Sequence, residues 1–328
     1  MRHVIPVNTG WGEGSIRPLD PFRDLGSVVE LIELAFGDRL DPVAKATLTR
    51  MRRFAEGGLL LQWVWALRGK MAVAPGLVWI EGGRVVGNVS LRHARGRGGY
   101  LIGNVVVHPD WRGRGIATAL MKAAIRGISR RRGRWIGLEV RADNDVARRI
   151  YEGLRFREVG STLHLLRPAG LSWRRGPFPG SMRRARARDG DALVGLVNAL
   201  IPEEQRLLLE VQASEYRPGW TRSLRRWLQG EREGWWVVEA KGRIRGAVRA
   251  VRMRGTFPNQ LEVLTRPGER DLEPALVSRG VASLRGSSQK AIAVSLPAAT
   301  DPLVGALVDA GFQELHVLVQ MMRNISRR

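Results

Sequence analysis

The sequence predicts a mixed α/β fold of the α+β kind, built twice in tandem, and three observations carry that reading. Before residue 168 the pattern runs as an antiparallel meander, a helix, a strand, a helix and a strand. It has none of the repeated strand–helix–strand units of a doubly wound sheet. Between 168 and 180, Pro168, Gly170, Gly176, Pro177, Pro179 and Gly180 break regular structure. After that break the same plan returns. Two domains are expected, 1–167 and 181–328, joined by a linker over 168–180, each a mostly antiparallel twisted sheet flanked by helices.

Each element of the first copy has its own signal. A strand near 16–19 precedes helical patterns over 24–36 and 42–55. Strands are expected over 77–81, 85–93 and 100–107, with Gly82-Gly83 and the glycine-rich stretch 95–99 as hairpin turns. Over 116–129, Ile116, Leu120, Met121, Ala124 and Ile128 recur on one helical face. A strand over 135–140, a helix over 145–153 and a strand over 159–166 complete the copy. The repeat is read from ordered matches. Gly242-Arg243-Ile244-Arg245-Gly246-Ala247-Val248 echoes Gly83-Arg84-Val85-Val86-Gly87-Asn88-Val89, and Ala310-Gly311-Phe312 echoes Leu154-Arg155-Phe156.

Composition removes several chemistries. There is no cysteine, so disulfides, thiolate metal sites and a cysteine nucleophile are excluded. His3, His93, His108, His164 and His316 show no metal-ligand spacing, and no metal is expected. The first fifteen residues lack an apolar signal core, and the apolar stretch 59–79 is interrupted by Arg68 and Lys70. A soluble, cytoplasmic chain with no membrane span is the expectation. The formal charge is +23, and only five of the 54 basic residues are lysine. That surplus reads either as an arginine-biased solvated surface or as a preference for an anionic partner such as RNA or the ribosome.

The most informative segment is the run from Asn104 to Thr118. An apolar strand containing Val105, Val106 and Val107 enters a turn, and Gly113 and Gly115 then open an amphipathic helix. Glycine permits positive φ, and the unpaired first-turn amides with the helix dipole suit a pyrophosphate. Arg112 and Arg114 add charge. A ligand-free glycine-rich helix start remains open at this point. So does a dinucleotide fingerprint, although Thr118 stands where a third glycine would be needed.

These residues carry a family resemblance. Val107-x-Pro109-x-x-Arg112-Gly113-x-Gly115-Ile116-Ala117 resembles motif A of the GNAT superfamily of N-acetyltransferases, and residues 138–156 resemble its motif B. The pair covers some fifty residues and is most similar to the bacterial ribosomal-protein alanine N-terminal acetyltransferases. The resemblance implies acetyl-CoA as co-substrate and a primary amine as acceptor, either a peptide N-terminus or a small molecule. It implies that the backbone of Val105, Val106 and Val107 binds the pantetheine arm. The amides of Gly113, Arg114, Gly115, Ile116, Ala117 and Thr118 would hold the pyrophosphate, and Asn144 would contact the coenzyme near its reactive end. Tyr151 would protonate the leaving thiolate and Glu139 would deprotonate the amine. Gly103 stands where many relatives carry a glutamate, which leaves Glu81 or a water as the other candidate base. Two rivals stand beside the enzyme: a basic RNA- or ribosome-binding protein on this scaffold, and a non-catalytic acyl-CoA-binding regulator.

The second copy departs from the motif. Arg270-Asp271-Leu272-Glu273 replaces Arg112-Gly113-Arg114-Gly115, and Leu307, Thr300 and Ser295 stand at the places of Tyr151, Asn144 and Glu139. Asp271 and Glu273 are expected to repel a pyrophosphate and Pro274 to alter the helix start, so this copy is read as a fold without a cofactor site. A monomer paired internally like a dimer is expected. The stretch 59–74, with Trp63 and Trp65, is read either as a lining of the acceptor side or as extra core.

Overall fold

A computed structural model describes residues 5–8, 13–37, 45, 47–49, 51–52, 76–95, 98–172, 181–228, 230–284, 290–297 and 301–325. The 59–74 stretch, most of the helix expected over 42–55 and the end of the 168–180 segment lie outside these residues. Two compact units emerge. One comprises 1–139, 145–158 and 321–328; the other comprises 140–144 and 159–320.

In the first unit the strands are β1 (Ile5–Asn8), β2 (Glu13–Pro18), β3 (Gly76–Glu81), β4 (Arg84–His93), β5 (Gly99–Val107) and β6 (Trp135–Arg141), adjacent in that order. All neighbours are antiparallel except β5 and β6, which are parallel. Strand β1 had no counterpart in the sequence reading. Helix α1 (Pro21–Phe36) covers one face, burying Val28, Leu31 and Ile32 against Val78 and Val106. Helix α2 (Ile116–Arg130) covers the other with Ile116, Leu120, Met121, Ala124 and Ile128. It lies so close that a Cβ at Gly87 would come 3.0 Å from Ile116 Cγ2 and 3.1 Å from Leu120 Cδ1. Helix α3 (Asp145–Gly153) follows β6.

The second unit repeats this order. Its strands β8 (Met182–Arg184), β9 (Arg232–Ala240), β10 (Arg243–Arg252) and β11 (Asn259–Thr265) form the antiparallel part, and β12 (Ile292–Leu296) joins β11 in parallel. Helices α4 (Gly190–Leu200), α5 (Glu203–Leu208) and α6 (Trp220–Leu228) precede β9. Leu193, Leu196 and Val197 of α4 pack on the face carrying Trp235, Val237 and Ala247. Helix α7 (Glu273–Ser283) and helix α8 (Asp301–Asp309) pack on the opposite face, against Trp236, Val248 and Leu261.

The last strands do not follow the sequence order. Strand β7 (Arg157–Arg167) follows the first copy in the chain, yet it pairs antiparallel with β12 within the second unit. Strand β13 (Gln313–Asn324) ends in residues that belong to the first unit, where Ile325 N donates to Arg134 O at 2.8 Å. Each unit thus includes strand residues from the end of the other copy. A pattern read along the chain cannot reveal that exchange, because both strands carry the same repeat signature.

Helix α1 is fastened to the sheet by a buried ion pair. Arg17 donates to both oxygens of Asp24, at 2.5 and 2.7 Å, and Asp20 N adds a third bond at 2.8 Å. Burial alone would raise the Asp24 pKa, but the Arg17 bond and the Asp20 amide outweigh it and hold it below the usual value. Asp24→Ala would leave Arg17 buried without its partner. A loss of about 3–5 kcal/mol is expected in denaturant unfolding. The folded pKa lies below the unfolded one, so this stabilisation is present above about pH 4 and fades as the pH falls through the folded value. An acid unfolding profile unchanged by Asp24→Asn would contradict the assignment.

Candidate functional site

The site is built where β5 and β6 part. Their parallel pairs run from Gly99↔Trp135 to Ile102↔Leu138, while the pairing of β5 with β4 continues as far as Gly87↔Val107. The far end of β5, including Val105, Val106 and Val107, therefore stays paired along its β4 edge beyond its last pair with β6. The cause is local. Asn88 faces Val106 and Ser90 faces Gly103, so Asn104 and Val105 share one opposing residue, Val89. This is a β-bulge, which bends the strand that carries it and strengthens its twist.

A small polar cluster holds the bulge. Asn104 sits at φ 48°, in the left-handed region that asparagine tolerates better than β-branched residues. Asn88 is fully buried, and its Nδ2 donates to Asn104 O at 2.9 Å and to Ser90 Oγ at 3.2 Å. Sequence reasoning passed over Asn88, Ser90 and Asn104. The available signal was an asparagine inside the apolar run Val85-Val86-Gly87-Asn88-Val89, where a polar side chain must find a partner.

Beyond β5 the chain makes a short 3₁₀ turn, Pro109–Trp111, and enters α2 through Gly113 and Gly115 at φ 78° and 74°. Gly115 is the N-cap and offers no side-chain bond to the helix. Its carbonyl accepts from Ala119 N at 2.9 Å, so the amides of Ile116, Ala117 and Thr118 precede the first intrahelical donor. A Cβ at Gly113 or Gly115 would meet nothing within 4 Å. Backbone conformation, and not crowding, is what demands glycine there.

Arg112 Nε donates to Val107 O at 3.2 Å, tying the turn to the strand end. Arg114 donates to Asp110 O at 3.1 Å and lies 4.5 Å from the centre of the Trp111 ring. Both guanidinium groups are thus positioned, and their charge stays beside the glycines. The glycine turn thus leads directly from the end of β5 to the uncapped start of α2.

The remaining candidates are placed one by one. Glu139 is exposed and follows Leu138, the last residue of β6 paired with β5, so it stands at the fork. Glu81 accepts the Trp79 indole N–H at 2.9 Å and is engaged in the sheet. Tyr151, on α3, is 6 % exposed with its ring 6.1 Å from that of Phe156. Burial pushes its phenol up to about 12. Asn144 N donates to Arg141 O at 3.0 Å in a turn that groups with the second unit.

Residues 47–156 match the family model described as Acetyltransferase (GNAT) family. An acetyltransferase of Sodalis glossinidius is 40% identical over 84 residues, 25% of this chain and 57% of that protein. One of Pectobacterium atrosepticum is 41% identical over 78 residues, 24% of this chain and 53% of its own. The chain thus spans about half the length of these curated relatives. A GCN5-related N-acetyltransferase of Sphaerobacter thermophilus superposes with TM-score 0.64 at 16% identity, covering 95% of both chains. A tandem GNAT protein from the clavulanic acid biosynthesis pathway gives 0.59 at 16% identity, covering 95% of this chain and 98% of that one. The fold is that of a tandem GNAT protein over the whole chain.

The second GNAT-like copy shows what the site consists of by lacking it. Its β10 and β11 pair without interruption from Gly246↔Thr265 to Val251↔Gln260, so no bulge bends β11. Glu273 stands where the first copy has Gly115. Its carboxylate turns inward, fully buried, and accepts from Thr265 Oγ1 at 2.9 Å. The sequence reading took Glu273 as a charge that would repel a pyrophosphate; in the structure its side chain bolts the helix start to the end of β11. Asp271 remains at the surface, 3.7 Å from Arg245.

Gly115→Ala tests the conformational constraint directly. With open space around the new methyl, the expected loss is the left-handed penalty alone, about 1–2 kcal/mol in denaturant unfolding. A gain in stability would show that residue 115 does not hold φ near 74°.

Proposed function

We infer that this protein is an N-acetyltransferase that moves an acetyl group from acetyl-CoA to a primary amine, using the first unit. The observation that carries the reading is the continuity of the β5 edge beyond its pairing with β6 and the uncapped start of α2. A pantetheine arm is an amide-bearing chain that can bond to such an edge as an added strand would. A pyrophosphate suits amides at a helix start, reinforced by the dipole and by Arg112 and Arg114. Asn144 is carried over by resemblance as a contact near the thioester.

The chemistry joins the amine nitrogen to the acetyl carbon and breaks the carbon–sulfur bond. An ammonium group has no lone pair, so one proton must leave before attack. Glu139, at the fork and exposed, takes that proton directly or through water. An α-amino group, with pKa about 8, needs little help near neutrality, whereas a lysine at about 10.4 needs roughly 4 kcal/mol. A single exposed carboxylate suits the easier acceptor, and a peptide N-terminus or a similarly weakly basic amine is the substrate class proposed.

Tyr151 meets the departing sulfur. Against a thiol pKa of about 8.5, a phenol at about 12 is the weaker acid, so complete transfer is uphill by about 5 kcal/mol. The phenol therefore stabilises the thiolate as a hydrogen-bond donor and keeps its own proton. The adduct nitrogen releases its second proton to water as the carbon–sulfur bond breaks, and the thiolate leaves to equilibrate with solvent protons.

Three outcomes are expected. Tyr151→Phe lowers kcat about tenfold to a hundredfold with acetyl-CoA affinity unchanged, and the wild-type rate shows no phenol titration below about pH 11. Glu139→Gln depresses turnover most at low pH, where the amine is charged, and a uniform loss across pH would remove Glu139 as base. Calorimetric titration with acetyl-CoA gives one site per chain, abolished in a folded Gly115→Val protein. Two equivalent sites, or binding indifferent to Gly115→Val, would overturn the reading.

A further inference from the structure

The second unit has a cavity of its own, of about 360 Å³, on the sheet face covered by α7. Arg184, Arg232, Trp236 and Arg252 line it from the strands and Arg279 from the helix. It lies at the C-terminal end of α7, away from the Glu273 start that replaced the coenzyme turn. The volume falls at the lower end of the usual range for small-molecule sites, about 300–1,000 Å³.

Four cations face this space, and the acidic residue beside them is spent elsewhere. Glu233 adjoins the cavity, but strand alternation sends its carboxylate to the opposite face from Gly234 and Trp236. There it accepts from Arg222 Nε at 2.9 Å and from Arg249 Nε at 2.5 Å, with its side chain 4% exposed. Among the described residues no carboxylate pairs with Arg184, Arg232 or Arg252. Arg252 gives one N–H to Ser283 O at 2.9 Å. The guanidinium carbons of Arg184 and Arg279 lie 5.7 and 4.8 Å from the Trp236 ring centre. For Arg184, stacking of that kind orients the guanidinium plane without consuming the donors along its edge. Trp236 can lie there because residue 234 is glycine: a Cβ at Gly234 would come within 2.5 Å of the ring.

We propose that this cavity binds a small phosphorylated molecule carrying at least two negative charges, at a site separate from the coenzyme turn of the first unit. Forked guanidinium donors match phosphate oxygens in geometry as well as charge. A concavity of this limited volume suits a small molecule.

Pyrophosphate and ADP serve as probes in calorimetry on the full chain at physiological salt. Because the first-unit turn also attracts phosphate, each titration is run in wild-type and Gly115→Val proteins. One saturable site is expected to persist in Gly115→Val. Arg184→Gln combined with Arg232→Gln should weaken that site at least tenfold, and Arg130→Gln, on the end of α2, should leave it unchanged. Both arginines of the double variant are exposed, and a melting curve checks that it folds; Arg232→Lys, which keeps the charge and loses the fork, gives an independent reading through partial loss. Absence of saturable binding in Gly115→Val, or equal binding to the double variant, would overturn the proposal. So would binding of an RNA oligonucleotide that needs these arginines while neither small probe binds.

Discussion

Everything that makes the first unit a candidate for chemistry depends on one irregularity, the β-bulge at Asn104 and Val105. Two residues opposite Val89 bend β5, and the parallel pairing with β6 ends at Ile102↔Leu138. A buried bulge exposes backbone groups to an apolar interior unless something satisfies them. Asn88 does so for the Asn104 carbonyl, from within the sheet. The strand edge is then available to a ligand at no further cost in broken pairs. The sheet continues β5 on one side only, and the glycine turn begins where β5 ends.

The second copy supports the same dependence from the other direction. It keeps the strand order, the parallel pair and the helix that follows, so the scaffold alone does not make the site. Straight pairing of β10 with β11 and the buried Thr265–Glu273 bond replace the bulge and the open helix start. A helix N-terminus needs some acceptor for its amides and dipole. In the first copy the backbone leaves that need unmet, and in the second a carboxylate of the helix's own first residue lies buried there.

Much of this was legible beforehand, because the signals were local. The meander and the helix opened by Gly113 and Gly115 each rest on spacing within a few residues, and the first-copy elements that lie among the described residues appear within about three residues of expectation. What escaped was non-local. Strand β7 carries the same alternation whichever sheet it joins, so its pairing with β12 cannot be read from its sequence. The bulge escaped for a related reason: Asn104 reveals its role only through Asn88, sixteen residues away across a strand pair. Glu273 was seen as a charge, but whether a carboxylate points outward or down onto a threonine depends on a neighbour eight residues earlier.

The arginine surplus takes on a different meaning once its bonds are traced. Arg112 donates to Val107 O, Arg167 to Ala310 O and Leu171 O, Arg266 to Ile244 O, and Arg323 to Leu154 O. Arg183 joins Asp189 to Glu239, and Arg222 and Arg249 converge on Glu233. Carbonyls at strand and helix ends are the groups that regular structure leaves unsatisfied, and a guanidinium can reach several at once. The bonds to carbonyls use donors without neutralising charge, so part of the positive surplus has a structural use. Net charge by itself therefore says little about a nucleic-acid partner. The informative arginines are those, like Arg184 and Arg232, that border a concave space with no carboxylate paired to them among the described residues.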